Sequence, residues 1–432
     1  MCKIKQISKR GKDTLNLLWH FKESHEARSL ISNFSWLVVL QIASYLFPLI
    51  TMPYLARVIG VGGFGKIAFA SAVMVWVLTI TDWGFNQSAT RDIARNRNNK
   101  KNLSMIYSNV QYSRIFLMLC SLIILLILIA IIPVFRESWA VLLVTFLTVP
   151  GHILFPDWFF QGMERMKYTS ILNIFSKTFF ILGIFVFIRD EEDFILQPLL
   201  TSLGFLCAGL CAQFVILYKW GIKLKVPHWF NIKETIFSST DIFINTLMPN
   251  LYNSFSIVLL GFWGGVQSNG LLDAGRRFVT LGQNFTSILT RAFYPFLSRR
   301  IDKHTFYVRI SLSISTFIAL FLFAFAPLLI QVFFTKDFDG AIIVLRIQSI
   351  GIIFTSLISA YGAGYMILEG YEKELRIITT VCSLIGFVMA FPLIYFYDYI
   401  GAAINVTAAQ VLLGSCITRE GRKMKNRNIK RL

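Results

Sequence analysis

Runs of roughly 20 apolar residues, nearly free of charged side chains, recur along almost the whole chain. A helix of that length crosses the hydrocarbon core of a bilayer, where backbone polar groups must be paired within the spanning structure. Of the 432 residues, 55% are hydrophobic and 15% are charged, whereas a soluble protein carries about 25% charged residues. The sequence therefore predicts an all-α polytopic membrane protein.

At about 20 residues per span, the apolar runs predict twelve transmembrane helices, in two six-helix lobes around a central cavity. The predicted spans are residues 34–56, 66–88, 109–133, 138–160, 168–188, 194–218, 241–262, 270–297, 307–330, 341–367, 375–397 and 400–417. We expect residues 1–33 to form a cytoplasmic extension without a signal peptide, 34–218 the N-lobe, 219–240 a cytoplasmic linker, 241–417 the C-lobe and 418–432 a basic cytoplasmic tail.

The distribution of positive charge predicts the orientation. A formal net charge of +19 is typical of nucleic-acid-binding proteins, but here the cations cluster in short loops between apolar runs. With twelve spans, 31 of the 42 Lys and Arg residues lie on the side of both termini, and five lie on the opposite side. Because cytoplasmic loops are enriched in Lys and Arg, both termini are predicted to be cytoplasmic, and a nucleic-acid partner is excluded.

Two further features are typical of secondary transporters. The glycine-rich turn at residues 60–65, after the first span, is repeated at residues 265–270, after the seventh, at an offset of 205 residues. Duplicated halves around a central cavity are common in such proteins. The fourth span contains Pro150 and Pro156, which interrupt the hydrogen-bond ladder and are predicted to bend the helix.

Charged residues inside the spans are candidate substrate-binding residues, because a charge at the bilayer centre costs roughly 2.5–3.5 kcal/mol. The span 270–297 holds Asp273, Arg276, Arg277 and Arg291, whose spacing places them on nearly one helix face. Guanidinium groups stay charged and grip phosphate oxygens with paired hydrogen bonds, so this stripe would suit a cargo that carries a diphosphate. The alternative is that Asp273 neutralises Arg276 while Arg291 extends to the lipid headgroups.

Three further cations are candidates for the same substrate site. Lys177 lies near the middle of the fifth span, where an ammonium group must face a cavity or a partner. Arg346 lies about one turn into the tenth span. Arg57 closes the first span at its outer end and could contact either the cavity mouth or the headgroups. Arg114, near the inner end of the third span, is expected to extend to the headgroups.

Asp82, Asp157 and Asp241 lie near the inner ends of spans and are candidates for coupling transport to a proton or another cation. Asp82 could instead pair with loop arginines. Asp241 follows three hydroxyl residues, so helix capping also explains its position. We interpret His152, inside the fourth span, as a satisfied polar core residue.

The sequence contains no motif of a known catalytic site. It lacks a P-loop, an HExxH zinc pair and a GxSxG elbow, so the chain is predicted not to be an enzyme and to need no cofactor. Five of the six cysteines lie within or at the edge of apolar runs, without a CxxC motif or a histidine partner. We interpret them as small core residues.

Three stretches of the sequence are distinctive as a set. They are residues 40–65 (LQIASYLFPLITMPYLARVIGVGGFG), residues 82–94 (DWGFN, then ATRDIA) and residues 158–168 (WFFQGMERMKY). They resemble the polysaccharide-transporter branch of the multidrug/oligosaccharidyl-lipid/polysaccharide exporter superfamily, and within it the O-antigen flippases of the Wzx type. The resemblance covers nearly the whole chain, from residue 33 to residue 417.

The resemblance implies translocation of undecaprenyl-diphosphate-linked O-antigen units from the cytoplasmic to the periplasmic leaflet of a bacterial inner membrane, by ion-coupled alternating access. It also implies a cationic cavity, and an O-antigen polymerase and a chain-length regulator as partners. The family often shows Tyr-x-Ala-Ala before a basic residue, where this chain reads LDAGRR at residues 272–277. The extra acid and the extra cation would change recognition of the sugar or the diphosphate.

Two other classes of protein are alternatives. A small-molecule or drug antiporter of the same superfamily would share the fold, but it should favour acidic residues over arginines in its cavity. A membrane-embedded glycosyltransferase or polymerase would need a sizeable catalytic loop, and the loops between the predicted spans are short.

Overall fold

The computed structural model describes residues 25–298 and 300–431, with side chains for Trp36 and for residues 39–427 apart from 292, 295 and 299. Residues 1–24, most of the predicted N-terminal extension, lie outside this part. The structure is 89% helical, and the described residues form no strand. The prediction of an all-α polytopic membrane protein is confirmed.

The chain up to residue 219 is built from helices α1 to α9. They are α1 His25–Asp82, α2 Phe85–Arg95, α3 Lys100–Ile131, α4 Pro133–Glu137, α5 Trp139–Phe146, α6 Thr148–Leu154, α7 Asp157–Gly162, α8 Met166–Phe187 and α9 Leu196–Phe214. A 3-10 turn, Glu191–Ile195, precedes α9, and a π-helical turn, Val215–Lys219, extends it.

The remainder is built from helices α10 to α17. They are α10 Trp229–Ser238, α11 Thr240–Leu247, α12 Ser254–Trp263, α13 Gly265–Leu297, α14 His304–Ala324, α15 Ala326–Phe333, α16 Ala341–Leu357 and α17 Glu372–Arg431. A 3-10 turn, Met248–Leu251, lies between α11 and α12, and a π-helical segment, Ile358–Ile367, extends α16.

Several of the helices are interrupted at single residues whose backbone conformation is not helical. Helix α1 contains the first predicted span and most of the second, separated at Gly60, and the end of the second span lies in α2. The fourth predicted span is divided among α5, α6 and α7, with Pro156 directly before α7, so the predicted interruption at Pro156 is confirmed, whereas Pro150 lies within α6. Helix α17 is interrupted at Asp398, where φ is 50°. The predicted basic tail continues this helix as far as Arg431.

The two glycine-rich turns share a backbone feature. Gly60 has a φ of 59°, and Gly265 has a φ of 76°. Both values lie in the left-handed region, which glycine adopts without the steric cost that a Cβ imposes. The backbone therefore repeats this feature at the same 205-residue offset as the sequence.

Nine helices among the described residues are long and apolar enough to cross a membrane. Three of the twelve predicted spans are not counted separately among them. The span 241–262 is divided between α11 and α12, the span 270–297 is the charged helix α13, and the span 400–417 is part of α17. The count of twelve stays a prediction.

Helix α13 carries the predicted cationic stripe and packs against α1 and α16. Its residues Leu272, Ala274 and Phe278 are buried in these contacts. Gly275 permits a close approach to α16, because a Cβ there would lie only 2.7 Å from Val344 Cγ1. Packing of this apolar face leaves the charged side chains on the remaining face of the helix.

Large apolar side chains cover much of the outer surface. Leu182, Phe317 and Val388 are 63%, 71% and 66% exposed. In water such a surface would drive association, whereas in hydrocarbon it is already in its preferred solvent. This surface fits a chain that is surrounded by lipid.

Candidate functional site

A cavity of about 430 Å³ lies between the two arms of α1, α12 and α13. Its charged lining is Asp273, Arg276 and Arg277, all from α13. Its uncharged polar lining comes from three helices: Gln41, Ser44, Tyr45, Ser71, Ser254, Thr280 and Asn284. The volume falls within the range of about 300–1,000 Å³ that is typical of small-molecule sites. The first part of the predicted cationic stripe therefore faces a central chamber.

The direct ion pair in this cavity joins Asp273 and Arg277, and Asp273 also lies within electrostatic range of Arg276. Arg277 Nε donates a hydrogen bond to Asp273 Oδ2 at 2.8 Å, and the Arg277 guanidinium carbon lies 4.7 Å from the centre of the Phe64 ring. Arg276 forms no ion pair among the described residues. The ion pair of Asp273 is thus with Arg277, four residues on, and not with Arg276 as the alternative interpretation had it.

A second cavity, of about 220 Å³, adjoins the first. Ser44, Pro48 and Arg277 line both cavities, and Lys177 lines the second. Lys177 Nζ donates a hydrogen bond to Ser44 Oγ at 2.6 Å. The structure therefore places Lys177 and Arg277 around one continuous polar region, although they are 100 residues apart in the sequence.

The three other predicted cations do not line either cavity. Arg291 is exposed and lies within electrostatic range of Tyr45, a cavity residue. The Arg346 guanidinium carbon lies 5.6 Å from the centre of the Phe323 ring, so this side chain is engaged between α16 and α14. Arg57 is exposed on α1. Of the predicted substrate-binding residues, the structure brings together Asp273, Arg276, Arg277 and Lys177.

A second charged cluster lies within the first half of the chain. Arg114 Nη2 donates a hydrogen bond to Asp82 Oδ1, and the Arg114 side chain is only 3% exposed. The prediction that Arg114 extends to the headgroups is therefore wrong, because a carboxylate inside the bundle compensates its charge. Arg114 Nε and Nη1 are buried without a hydrogen-bond partner among the described residues. Asp157, the first residue of α7, is exposed and lies within electrostatic range of both.

The third predicted coupling residue has a different environment. Asp241 is 84% exposed, and its Oδ1 accepts a hydrogen bond from Arg376 Nη1 at 3.2 Å. It lies in the first turn of α11, but no side-chain capping hydrogen bond is present there. Asp241 thus pairs with a different arginine from Asp82.

Sequence reasoning missed the uncharged residues of the central cavity. On α1, Gln41, Ser44 and Tyr45 lie three and four residues apart, which places them on one face. On α13, Thr280 and Asn284 continue the face of Arg276 and Arg277 at the same spacing. The helical periodicity of polar residues within an apolar span could have identified both sets.

The halves of the chain contact each other at the end of the bundle that contains the glycine-rich turns. A Cβ on Gly65 would overlap the carbonyl oxygen of Val266, and a Cβ on Gly270 would overlap that of Val61. Each turn thus needs a glycine where the other turn's backbone approaches. This end is predicted to face the periplasm.

The halves also contact each other at the opposite end. The Trp83 ring stacks on the Phe243 ring, with centroids 3.8 Å apart and an interplanar angle of 5°. A hydrogen bond of 2.8 Å joins the hydroxyls of Ser88 and Ser239. The central cavity therefore lies between two sets of contacts that join the two halves.

An all-helical bundle that encloses a polar cavity between two halves of the chain is the architecture of a polytopic membrane transporter. Comparison of folds agrees. The structure is similar to that titled "Lipid II flippase MurJ, inward closed conformation", with a TM-score of 0.73 and 15% identity, covering 89% of this chain and 87% of that one. It is also similar to an inward-facing multidrug resistance MATE family transporter of the MOP superfamily, with a TM-score of 0.63 and 15% identity over 88% and 95% of the two chains.

Comparison of sequences gives the family. The chain belongs to the family described as "Polysaccharide biosynthesis protein", which matches residues 30–301. Two curated relatives carry the name "Putative O-antigen transporter". The one from Escherichia coli (strain K12) is 30% identical over 90% of this chain and 95% of its own length. The one from Shigella dysenteriae is 22% identical over 86% and 94%. These relatives are named as transporters and not as enzymes.

Proposed function

We propose that this chain translocates undecaprenyl-diphosphate-linked O-antigen units from the cytoplasmic to the periplasmic leaflet of a bacterial inner membrane. The observation that carries the proposal is the Arg276 guanidinium, which lines a chamber beside Arg277 and forms no direct ion pair with any residue that the structure describes. The names of the two sequence relatives and the similarity to a lipid-carrying flippase fold support the same class of cargo.

The geometry of the cavity suggests a role for each part of it. A diphosphate would pair directly with Arg276, because a guanidinium donates two parallel hydrogen bonds to phosphate oxygens. Lys177, in the adjoining cavity, adds a third cation, after Arg276 and Arg277, within the same polar region. The amide and hydroxyl groups of Gln41, Tyr45 and Asn284 are suited to hydrogen bonds with sugar hydroxyls. The polyprenyl chain would stay in the surrounding lipid.

Coupling to a cation or proton would use the first half of the chain. The Asp82–Arg114 pair joins a half-buried carboxylate to a buried guanidinium, and Asp157 is within electrostatic range of it. A proton or cation that bound Asp157 would alter the charge beside Arg114 and so bias its pairing. Asp241 is less suited to this role, since it is 84% exposed and paired with Arg376.

The proposed cycle is alternating access between two six-helix lobes with both termini in the cytoplasm. The contacts between halves at both ends of the cavity supply a gate on each side. An O-antigen polymerase and a chain-length regulator would receive the product at the periplasmic face. A small-molecule cation antiporter is less well supported, since the one acidic residue of the central cavity among those described, Asp273, is already paired with Arg277.

A deletion strain tests the proposal. Without this gene, lipid-linked O-units should accumulate on the inner leaflet and surface O-polysaccharide should disappear. A plasmid copy should restore the polysaccharide, whereas a copy with Arg276→Ala and Arg277→Ala should not, although it is inserted at normal abundance. Arg57→Ala, which removes a cation outside both cavities, is the matched control and should restore it. Absence of accumulated O-units in the deletion strain would reject the proposed cargo.

A further inference from the structure

A separate cavity of about 460 Å³ lies between the beginning of α3 and the segment 220–228. Four lysines line it: Lys100, Lys101, Lys223 and Lys225. It shares no lining residue with the central cavity. Its position is at the end of the bundle that is predicted to be cytoplasmic.

The wall formed by the segment 220–228 is fixed by hydrogen bonds to α3. The Lys223 N–H donates to Ser104 Oγ at 3.1 Å, and the Lys225 N–H donates to Ser108 Oγ at 3.0 Å. Ser104 and Ser108 are one helical turn apart, so the segment runs along the helix. In an extended chain alternate side chains point to the same side, which directs both lysines toward the cavity.

The opposite wall brings two more cations to the same space. Lys100 Nζ lies 3.6 Å from the position of a Cβ on Gly221, whose φ of 65° turns the chain at this point. Lys100 and Lys101 occupy the first turn of α3, where the helix dipole disfavours positive charge. None of the four lysines has an ion-pair partner within the part of the chain that the structure describes. The positive-inside rule accounts for lysines in cytoplasmic loops. It does not account for four lysines that line one cavity.

The neighbouring helix α10 indicates that the ligand is a lipid. Its Phe230 and Phe237 are 72% and 75% exposed and lie seven residues apart, on one face. Trp229 packs against Phe116 of α3, with ring centroids 4.9 Å apart, and Asn231 lines the cavity itself. Exposed aromatic side chains beside a membrane-spanning bundle are typical of the interface between headgroups and acyl chains.

We propose that this cavity binds the headgroup of an anionic glycerophospholipid from the cytoplasmic leaflet, with the acyl chains beside α10. The four lysines neutralise the phosphate, and Phe230 and Phe237 contact the upper part of the hydrocarbon. Basic pockets between membrane helices on the cytoplasmic side commonly bind anionic headgroups. This lipid would be a bound component of the transporter and not its cargo.

Native mass spectrometry of the full-length protein in detergent tests this site. Palmitoyl-oleoyl-phosphatidylglycerol and the zwitterionic phosphatidylcholine with the same acyl chains are titrated separately. The variant Lys223→Gln/Lys225→Gln should bind phosphatidylglycerol about 30-fold more weakly than the wild type. The control Lys303→Gln/Lys373→Gln removes two exposed lysines outside the cavity and should bind it normally.

A second pair of changes keeps the test decisive if the first variant does not fold. Lys100→Gln/Lys101→Gln removes the cations of the opposite wall and should cause a similar loss. Unchanged phosphatidylglycerol binding in either folded variant would overturn the proposal, and so would equally tight binding of phosphatidylcholine. Displacement of phosphatidylglycerol by millimolar inorganic phosphate would show a site for free phosphate, which also overturns it.

Discussion

Replacing Gly65 with alanine is expected to prevent the two glycine-rich turns from closing on each other. A Cβ at this position would overlap the carbonyl oxygen of Val266 in the opposite turn. The obstacle is backbone, which cannot rotate away as a flexible side chain can. Because residue 65 is helical, alanine itself would favour the helix by about 0.5–1 kcal/mol. Loss of transport would therefore arise from the contact between the halves.

The size of the effect follows from the overlap. Forcing an extra methyl group into a packed contact costs about 1–3 kcal/mol. At about 2 kcal/mol, the closed arrangement of the turns becomes about 30-fold less populated. If transport requires this end to close in each cycle, the rate of O-unit translocation should fall by a similar factor.

Gly62→Ala is the matched control, because it makes the same change in the same turn. A Cβ on Gly62 would lie 3.7 Å from Glu191 Oε1, which is an ordinary van der Waals contact. Complementation of the deletion strain gives the transport readout, and hydrogen–deuterium exchange of residues 60–65 and 265–270 reports closure directly. Gly65→Ala should reduce polysaccharide and speed exchange in both turns. Wild-type polysaccharide with unchanged exchange would refute a steric gate at this site.

Three further predictions concern the charged residues. Asp82→Asn should lower the free energy of unfolding by about 3 kcal/mol, because it leaves Arg114 buried without its partner. Thermal unfolding measures this loss. The control Asp92→Asn breaks an exposed ion pair and should lower the free energy of unfolding by less than about 1 kcal/mol. Arg57→Ala should leave surface polysaccharide unchanged, since Arg57 lines neither cavity, and a loss comparable to that of the cavity arginines would contradict the site. Lys177→Gln should reduce surface polysaccharide while Lys177→Arg retains it, and equal activity of both would show that its charge is not used.

The class of fold could be predicted from the sequence because a lipid bilayer strongly restricts the structures that can span it. Backbone groups in hydrocarbon must pair within a helix, so apolar length alone locates most spans. The positions at which the helices are interrupted were harder to predict. Pro156 by itself predicts an interruption of its helix. The left-handed φ at Asp398 instead depends on tertiary contacts, including a 2.6 Å hydrogen bond from Ser268 Oγ to Asp398 Oδ2. No local pattern signals a contact between residues 130 positions apart.

The candidate site was predicted in part. The charge and spacing of Arg276 and Arg277 identified the helix face, because charges within a span are costly and helical periodicity is fixed. Which cation reaches the cavity depends on how the helices rotate against each other. Arg346 lies beside Phe323, and Arg114 pairs with Asp82, and neither arrangement follows from position within a span.

The affinity of the purified protein for undecaprenyl diphosphate tests most directly whether the cavity arginines bind a diphosphate. A charge-assisted hydrogen bond contributes about 1.5–3 kcal/mol, so loss of the contacts of Arg276 in the Arg276→Ala variant should weaken binding by about 10- to 150-fold. Arg276→Lys should bind with intermediate affinity, because it keeps the charge but not the paired geometry. Equal affinity of the wild type and Arg276→Ala would contradict the account.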